Sequence, residues 1–305
     1  MKNSEPIVCI RCITYNQEKY IAQCLEGFVM QKTNFSVKAI VHDDASTDRT
    51  PQIIQEYAER YPDIIFPVLE KENQYSQGKL FEVMQPLMKG KYIAVCEGDD
   101  YWTDPLKLQK QVDFMESHPD YAMCFHQALR HHEGTDKPDE LYSDIEDRDY
   151  TGNELYSSAH RPPTASILMR KAVIESAVYK WSTKEITLFG DLSFFLSSAH
   201  CGKVRGMTDI MSVYRMNENG ISNIYHSVND KVLSYADANL RIYKVFGEQY
   251  REECIKIYVI DYINHFFRCQ HAGKFRPQLL LTPLMKYPAY TLSFLYERIS
   301  NHFRK

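Results

Sequence analysis

Residues 94 to 105, AVCEGDDYWTDP, run from an apolar stretch straight into Glu97, Asp99 and Asp100, with Tyr101, Trp102, Asp104 and Pro105 behind them. Close carboxylates repel and raise one another's pKa, so such a cluster calls for a cation or serves as helix-start punctuation. Asp104-Pro105 already supplies the punctuation, and Glu97 reads as a support of the turn. That leaves Asp99 and Asp100. Mg²⁺ or Mn²⁺ takes one or two carboxylates and fills its other positions with phosphate oxygens and water, which suits a nucleotide diphosphate. The alternative is a solvated acidic turn.

Two other acidic stretches offer chemistry. In HDDASTD (42–48), Asp43 or Asp44 can accept a hydrogen bond from a base N–H or a ribose hydroxyl, or the stretch is a loop of Asx and Ser turns. Asp191 follows Gly190 at the start of an apolar helix. An acid there is a routine partner of the helix dipole, and it is also where a rigidly held general base can sit. His126, His131 and His132 have no acid or cysteine at ligand spacing and read as ordinary residues. Cys9-x-x-Cys12 lies in a strand, where residues three apart face opposite ways, and no second pair follows it.

The elements that position these residues follow from pattern. PIVCIRCITYN (6–16) reads as a buried strand, and Ile21, Leu25 and Phe28 are spaced as a helix face. VKAIVHDD is a second strand, and Thr50-Pro51 opens a helix. IIFPVLE is a third strand, GKLFEVMQPLMKG a helix bent at Pro86, and KYIAVCEGDD a fourth strand. Such alternation predicts a parallel α/β sheet with right-handed crossovers, whose ligands sit outside the carboxyl ends of its strands. Thr14-Tyr15-Asn16, Asp43-Asp44 and Asp99-Asp100 all fall at such ends. Further on, 131 to 160 reads as a long polar loop, KVRGMTDIMSVYRMNENGIS as two short strands, and everything beyond 226 as helical.

The 305 residues fit one large domain, or a domain with an appendage, and 44% apolar residues support a packed core. A net charge of -4 provides no basic field for nucleic acid. Cys9, Cys12, Cys24, Cys96 and Cys124 lie in apolar runs and read as reduced core residues of a cytoplasmic protein. No signal peptide is apparent, and no run of apolar residues is long enough to span a membrane. LLLTPLMKYPAYTLSFLYERISNHFRK is apolar and ends basic. Packing on the protein is the favoured expectation for it, and peripheral contact with the inner face of the cell membrane the other.

CITYNQEKYIAQCLEGFVMQ, VHDDASTDRT, GKYIAVCEGDDYW, FGDLSFF and VYRMNENGIS, in this order, resemble the family 2 glycosyltransferases of the GT-A fold, which are inverting and use nucleotide sugars. The resemblance covers about residues 6 to 223. It implies a Rossmann-like, mixed and mainly parallel sheet flanked by helices over 1–223, with a C-terminal helical appendage over 224–305. It also implies Thr14 and Tyr15 against base and ribose, Asp44 on the base, and Asp43 beside it. Asp99 would face ribose or metal, and Asp100 would ligate Mg²⁺ or Mn²⁺ on the diphosphate. Asp191 would be the catalytic base. Tyr214 and Arg215 would open a loop closing over the diphosphate, and Lys79 would reach it. Tyr101 and Trp102 would line a sugar pocket, with a place in the core as the alternative for Trp102. Ala45 stands in a turn where glycine is common, and Asn217 where histidine often follows Tyr-Arg.

The function so implied is transfer of a sugar, from a UDP-sugar by preference, to a hydroxyl of a glycan or lipid-linked acceptor in cell-surface polysaccharide synthesis. The alternatives are a noncatalytic nucleotide-sugar or glycan-binding module on the same fold, and a metal-dependent nucleotidyltransferase. The latter usually shows a basic, glycine-rich phosphate loop early in the chain, and none occurs here.

Overall fold

The computed structural model describes residues 5–156, 161–186, 188, 190–217 and 228–303. The chain divides into two compact units, Met1–Lys180 with Asp191–Asn217, and Trp181–Gly190 with Glu218–Lys305.

The first unit begins β1 (Val8–Thr14), α1 (Ile21–Val29), β2 (Val37–Asp43), α2 (Thr50–Arg60), β3 (Ile65–Leu69), α3 (Leu80–Met84) and β4 (Tyr92–Val95). Val8, Ile10 and Cys12 of β1 and all of β4 are buried, as the central strands of a covered parallel sheet must be. Ile21, Leu25 and Phe28 of α1 pack on that sheet with Val41 and Ile54. Burying each such side chain contributes about 1.5–3 kcal/mol. Helix α2 begins at Thr50 itself, one residue earlier than its capping pattern suggests, because Asp48 Oδ1 accepts the Thr50 N–H. The bend expected at Pro86 is a short 3₁₀ turn, Gln85–Leu87, directly after α3.

The chain continues through β5 (Tyr101–Trp102), α4 (Lys107–Ser117), β6 (Tyr121–His132), β7 (Glu140–Leu141), α5 (Gly152–Tyr156), β8 (Leu168–Arg170), α6 (Lys171–Glu175), α7 (Ala177–Glu185), α8 (Gly190–Cys201) and β9 (Lys203–Met216). The strand order is β3-β2-β1-β4-β8-β6-β9-β5, with β7 on β6. β1, β2, β3 and β4 pair in parallel, as do β6 and β9, while β8 runs antiparallel between β4 and β6. This is the mixed, mainly parallel sheet flanked by helices that the family resemblance implies, whereas the strand–helix alternation alone predicts a parallel one.

Two features of this topology create a site. The connections β1-β2-β3 progress one way and β4 returns to the other side of β1, so the order reverses at β1 and opens a crevice at the carboxyl ends of β1 and β4. The stretch read as two short strands is instead the single β9, which passes register shifts opposite His126 and Gln127 of β6. Its far end pairs antiparallel with β5, Tyr101 against Val213 and Trp102 against Ser212. That pairing carries residues 214–217 onto the acidic turn after β4.

The second unit is helical. It contains α9 (Lys231–Phe246), α10 (Arg251–His271), α11 (Gln278–Lys286) and α12 (Pro288–Phe303). Val232, Ala236 and Ile242 of α9 and Cys254, Tyr258 and Ile263 of α10 are buried. At the start of α9, Asp230 Oδ1 lies 3.0 Å from Nε2 of the buried His265 and accepts a hydrogen bond from Arg276.

Candidate active site

The segment after β4 extends the parallel ladder. Cys96 N–H donates to the Arg11 carbonyl and Gly98 N–H to the Ile13 carbonyl. A Cβ on Gly98 would lie 2.7 Å from Thr14 Cβ and 2.8 Å from Thr14 Oγ1, so the turn can press against the end of β1 only with glycine there. Residues 97–100 close a turn, with Asp100 N–H donating to the Glu97 carbonyl, in which Glu97 and Asp99 stay partly exposed while Gly98 and Asp100 are buried.

That division separates the acids by environment. Asp100 is buried, its Oδ1 accepts the Arg215 backbone N–H at 2.9 Å, and burial together with the Asp99 charge holds its pKa well above the usual carboxylate range. A carboxylate turned inward and engaged by a backbone amide fits the base of the turn. Asp99 is only partly enclosed. Its Oδ2 accepts a hydrogen bond from Asn217 Nδ2 at 2.9 Å, and burial raises its pKa. About a third of the Glu97 side chain reaches solvent, with Oε1 4.0 Å from Arg11 Nη1. Enclosure in the crevice pushes Glu97 up to about 7, against the pull of Arg11 and with further repulsion from Asp99 and Asp191. Glu97 therefore belongs to the acidic rim, beyond supporting a turn.

Arg215 organises this rim. Its Nε donates to the Asp99 carbonyl at 2.9 Å, Nη1 to Glu133 and Nη2 to Gln23 Oε1 at 2.6 Å, and its guanidinium carbon lies 4.7 and 5.1 Å from the ring centroids of Tyr20 and Tyr101. Only 8% of Arg215 is exposed. With its donors so engaged it positions the acids rather than facing a diphosphate. Tyr214 packs edge-on against Tyr142, and the loop expected after Arg215 lies, from 218 to 227, outside the described residues. Asn217, in the position noted for histidine, sits on Asp99.

At the β1 end, Thr14 is buried, and Thr14 Oγ1 and Gln17 Oε1 lie enclosed beside Gly98 without a hydrogen-bond partner. Tyr15 is half exposed on the rim. Asp43 accepts hydrogen bonds from the N–H and Oγ of Ser46, and burial raises its pKa. Asp44 accepts the backbone N–H groups of Gln74 and Tyr75 at 2.7 and 3.1 Å, docking that loop onto β2. Both acids thus shape the rim through loops. Ala45 holds a left-handed φ of 64°, so its replacement of glycine costs about 1 kcal/mol.

Lys79 is exposed beside α3 and forms no ion pair with a described residue. Trp102 is a core residue: its Nε1 donates to the Ala165 carbonyl at 2.8 Å and its ring meets Phe28 edge-on. A side chain 2% exposed and so held cannot line a sugar pocket. Tyr101 is partly open and lies against Arg215. Asp191, in the first turn of α8, accepts the Leu192 N–H at 2.8 Å and is partly exposed. Its charge reaches both Glu97 and Tyr142, whose pKa values are raised first by burial and then by neighbouring acids. His126 is enclosed and bonded to its own strand, while His131 and His132 pair with Asp139 and Glu140. All eight cysteines are free thiols.

Residues 9–176 match the family described as glycosyl transferase family 2. An uncharacterised protein of Mycobacterium tuberculosis (strain H37Rv) is 52% identical over 114 residues, which is 37% of this chain and 33% of that protein. An uncharacterised glycosyltransferase of Nostoc sp. is 25% identical over 207 residues, 66% of this chain and 62% of that protein. The matches therefore span about a third of the mycobacterial protein and under two thirds of the cyanobacterial one. Among solved structures, S. aureus TarS 1–349 in complex with UDP-GlcNAc superposes with a TM-score of 0.58 at 18% identity, covering 94% of this chain and 78% of that one. The mannosyltransferase PcManGT from Pyrobaculum calidifontis, in complex with GDP-Man and Mn²⁺, gives 0.56 at 13%, covering 98% and 81%. At such identities these two likenesses show a shared fold.

Proposed function

Because the chain belongs to glycosyl transferase family 2, we propose that it moves a sugar from a nucleoside diphosphate sugar to a hydroxyl of a glycan or lipid-linked acceptor, with inversion, in the cytoplasm during cell-surface polysaccharide synthesis. The observation that carries this reading is the convergence of Glu97 and Asp99 at the crevice between β1 and β4, within reach of the Asp191 charge. The structural neighbours were solved with UDP-GlcNAc and with GDP-Man and Mn²⁺, which supports a nucleotide-sugar donor.

The donor set also fits a divalent metal. Among the described residues no three acids, histidines or cysteines close into a cage, and two rim carboxylates leave most positions of Mg²⁺ or Mn²⁺ to diphosphate oxygens and water. Glu97 and Asp99, rather than Asp100, would hold the ion, and Asn217 would orient Asp99. When bound, it would neutralise charge building on the departing diphosphate. Thr14 Oγ1 and Gln17 Oε1, buried without partners, supply hydrogen-bonding capacity for the nucleotide beside the rim. Asp43 and Asp44 would set the height of the base-facing wall through the loops they anchor. Tyr15, on the rim, would flank the base. Tyr214, Lys79 and Tyr101 would border the donor, and Arg215 would keep the acids in register. Asp191 would take the proton from the acceptor hydroxyl as that oxygen attacks the anomeric carbon from the face opposite the diphosphate.

Two measurements test this. UDP- and GDP-sugars should raise the melting temperature in the presence of Mn²⁺, and no shift with any nucleotide sugar would overturn the donor assignment. Asp191→Asn should bind the same donor with unchanged affinity yet lose transfer by about 10³-fold or more; a variant that still transfers would remove Asp191 as base. A noncatalytic binding module would instead bind the donor and transfer nothing with either Asp or Asn at position 191.

A further inference from the structure

The helices at the end of the second unit carry an exposed apolar surface. Phe275, Leu281, Met285, Leu292, Tyr296 and Ile299 are all more than half exposed, Met285 at 85% and Tyr296 at 74%. Among the described residues they are six of fourteen exposed large apolar side chains, concentrated in α11, α12 and the turn before them. Their spacing is not scattered. On α11, Leu281 and Met285 are four apart and face away from the buried Leu279 and Pro283. On α12, Leu292, Tyr296 and Ile299 follow at steps of four and three, a single stripe beside the buried Thr291. The expectation that this stretch packs its apolar face on the protein thus accounts for one side of each helix and leaves the other open.

Charge indicates what covers that face. Residues 272–305 contain six Lys and Arg and a single acid, Glu297, in a chain whose net charge is -4. A second copy docked through the same face would set two such positive segments against each other. Lys286 lies over the rings of Tyr258 and Tyr287, and Arg298 donates to Asn264 and lies on Phe267. Among the described residues neither has a carboxylate partner. A basic, apolar, tyrosine-bearing helix pair has the make-up of an element that lies in a lipid interface, and a leaflet rich in anionic lipid supplies the opposite charge. No helix of the described residues is long and apolar enough to cross a membrane.

We propose that α11 and α12 seat this chain on an anionic lipid surface, with Leu281, Met285, Leu292, Tyr296 and Ile299 entering the acyl boundary and the basic side chains meeting headgroup phosphates. The inference does not depend on the transfer reading, because binding is measured without donor or acceptor.

The test is flotation of the full chain with phosphatidylcholine vesicles that contain about 30% phosphatidylglycerol, against vesicles of phosphatidylcholine alone. The chain should float with the anionic vesicles, much less with the neutral ones, and should release as salt rises from about 0.1 to about 0.5 M. Met285→Ser/Leu292→Ser/Tyr296→Ser should weaken binding about tenfold or more with the melting temperature preserved, since all three side chains are exposed. Lys274→Glu/Lys286→Glu should weaken binding to anionic vesicles alone. The proposal is overturned if the chain stays with the soluble fraction at low salt, or if the triple variant floats as well as the wild type. It is equally overturned if sedimentation shows a dimer that the triple variant dissolves while neither protein binds vesicles.

Discussion

Glu97 shows how one residue's environment sets its chemistry. A carboxylic acid at the mouth of the crevice would ionise near its usual value, but enclosure and the neighbouring Asp99 and Asp191 raise it to about 7. Below that pH it holds a proton, and its attraction for a cation is lost. Metal-dependent nucleotide affinity should therefore fall as the pH drops from about 8 to about 6, and Glu97→Gln should flatten that profile while weakening binding about tenfold or more. Isothermal titration of Mn²⁺ with UDP across this range reads it directly. A wild-type profile as flat as the variant's would take Glu97 out of the site. A pattern of acids alone leaves Asp100 the apparent ligand, because adjacency stands out more than a spacing of two. Which of two neighbouring carboxylates faces out depends on what packs behind them, here the Arg215 backbone amide.

At the scale of elements, the rim depends on the pairing of β5 with β9. The sequence around Gly206 and Asp209 reads as a break, since glycine and small polar residues normally end strands. The strand survives because the register shifts opposite β6 absorb the irregularity. Arg215 then joins the far end of β9 to the acidic turn, to Glu133 and to α1 through Gln23. Arg215→Met leaves those acceptors unmatched and should cost about 2–4 kcal/mol in denaturant unfolding, with nucleotide affinity reduced as well. Arg215→Lys should recover little of either, because one ammonium cannot reach three separated acceptors. A midpoint unchanged in Arg215→Met would show that β9 holds its place without the guanidinium. The first four strands were legible because each is a short apolar run closed by polar residues, and long-range pairing adds nothing to that signal.

For the whole molecule, the most unusual charge is inside the core. Lys107 is fully enclosed, with Nζ 2.7 Å from Gln111 Oε1 and 4.1 Å from the Trp102 ring centroid, and burial lowers its pKa to about 7. The unfolded chain keeps that proton up to about 10.5. Between these values the unfolded state binds the extra proton, so stability gains from Lys107 as pH rises through the window and loses as pH falls towards 7. Lys107→Met should remove this slope: the melting temperature of the wild type, relative to the variant, should climb between pH of about 7 and about 9.5. Parallel melting curves would contradict the burial of a neutral amine. By itself, the sequence determined the alternation of strands and helices, the family, and the ends of strands at which polar residues gather, because these follow from local periodicity and short motifs. Only the tertiary structure decided that Trp102 fills the core, that Arg215 orders acids, that Asp100 turns inward while Glu97 turns out, and which face of α11 and α12 stays open. Each of those outcomes depends on neighbours far away in the chain, whose packing no local pattern records.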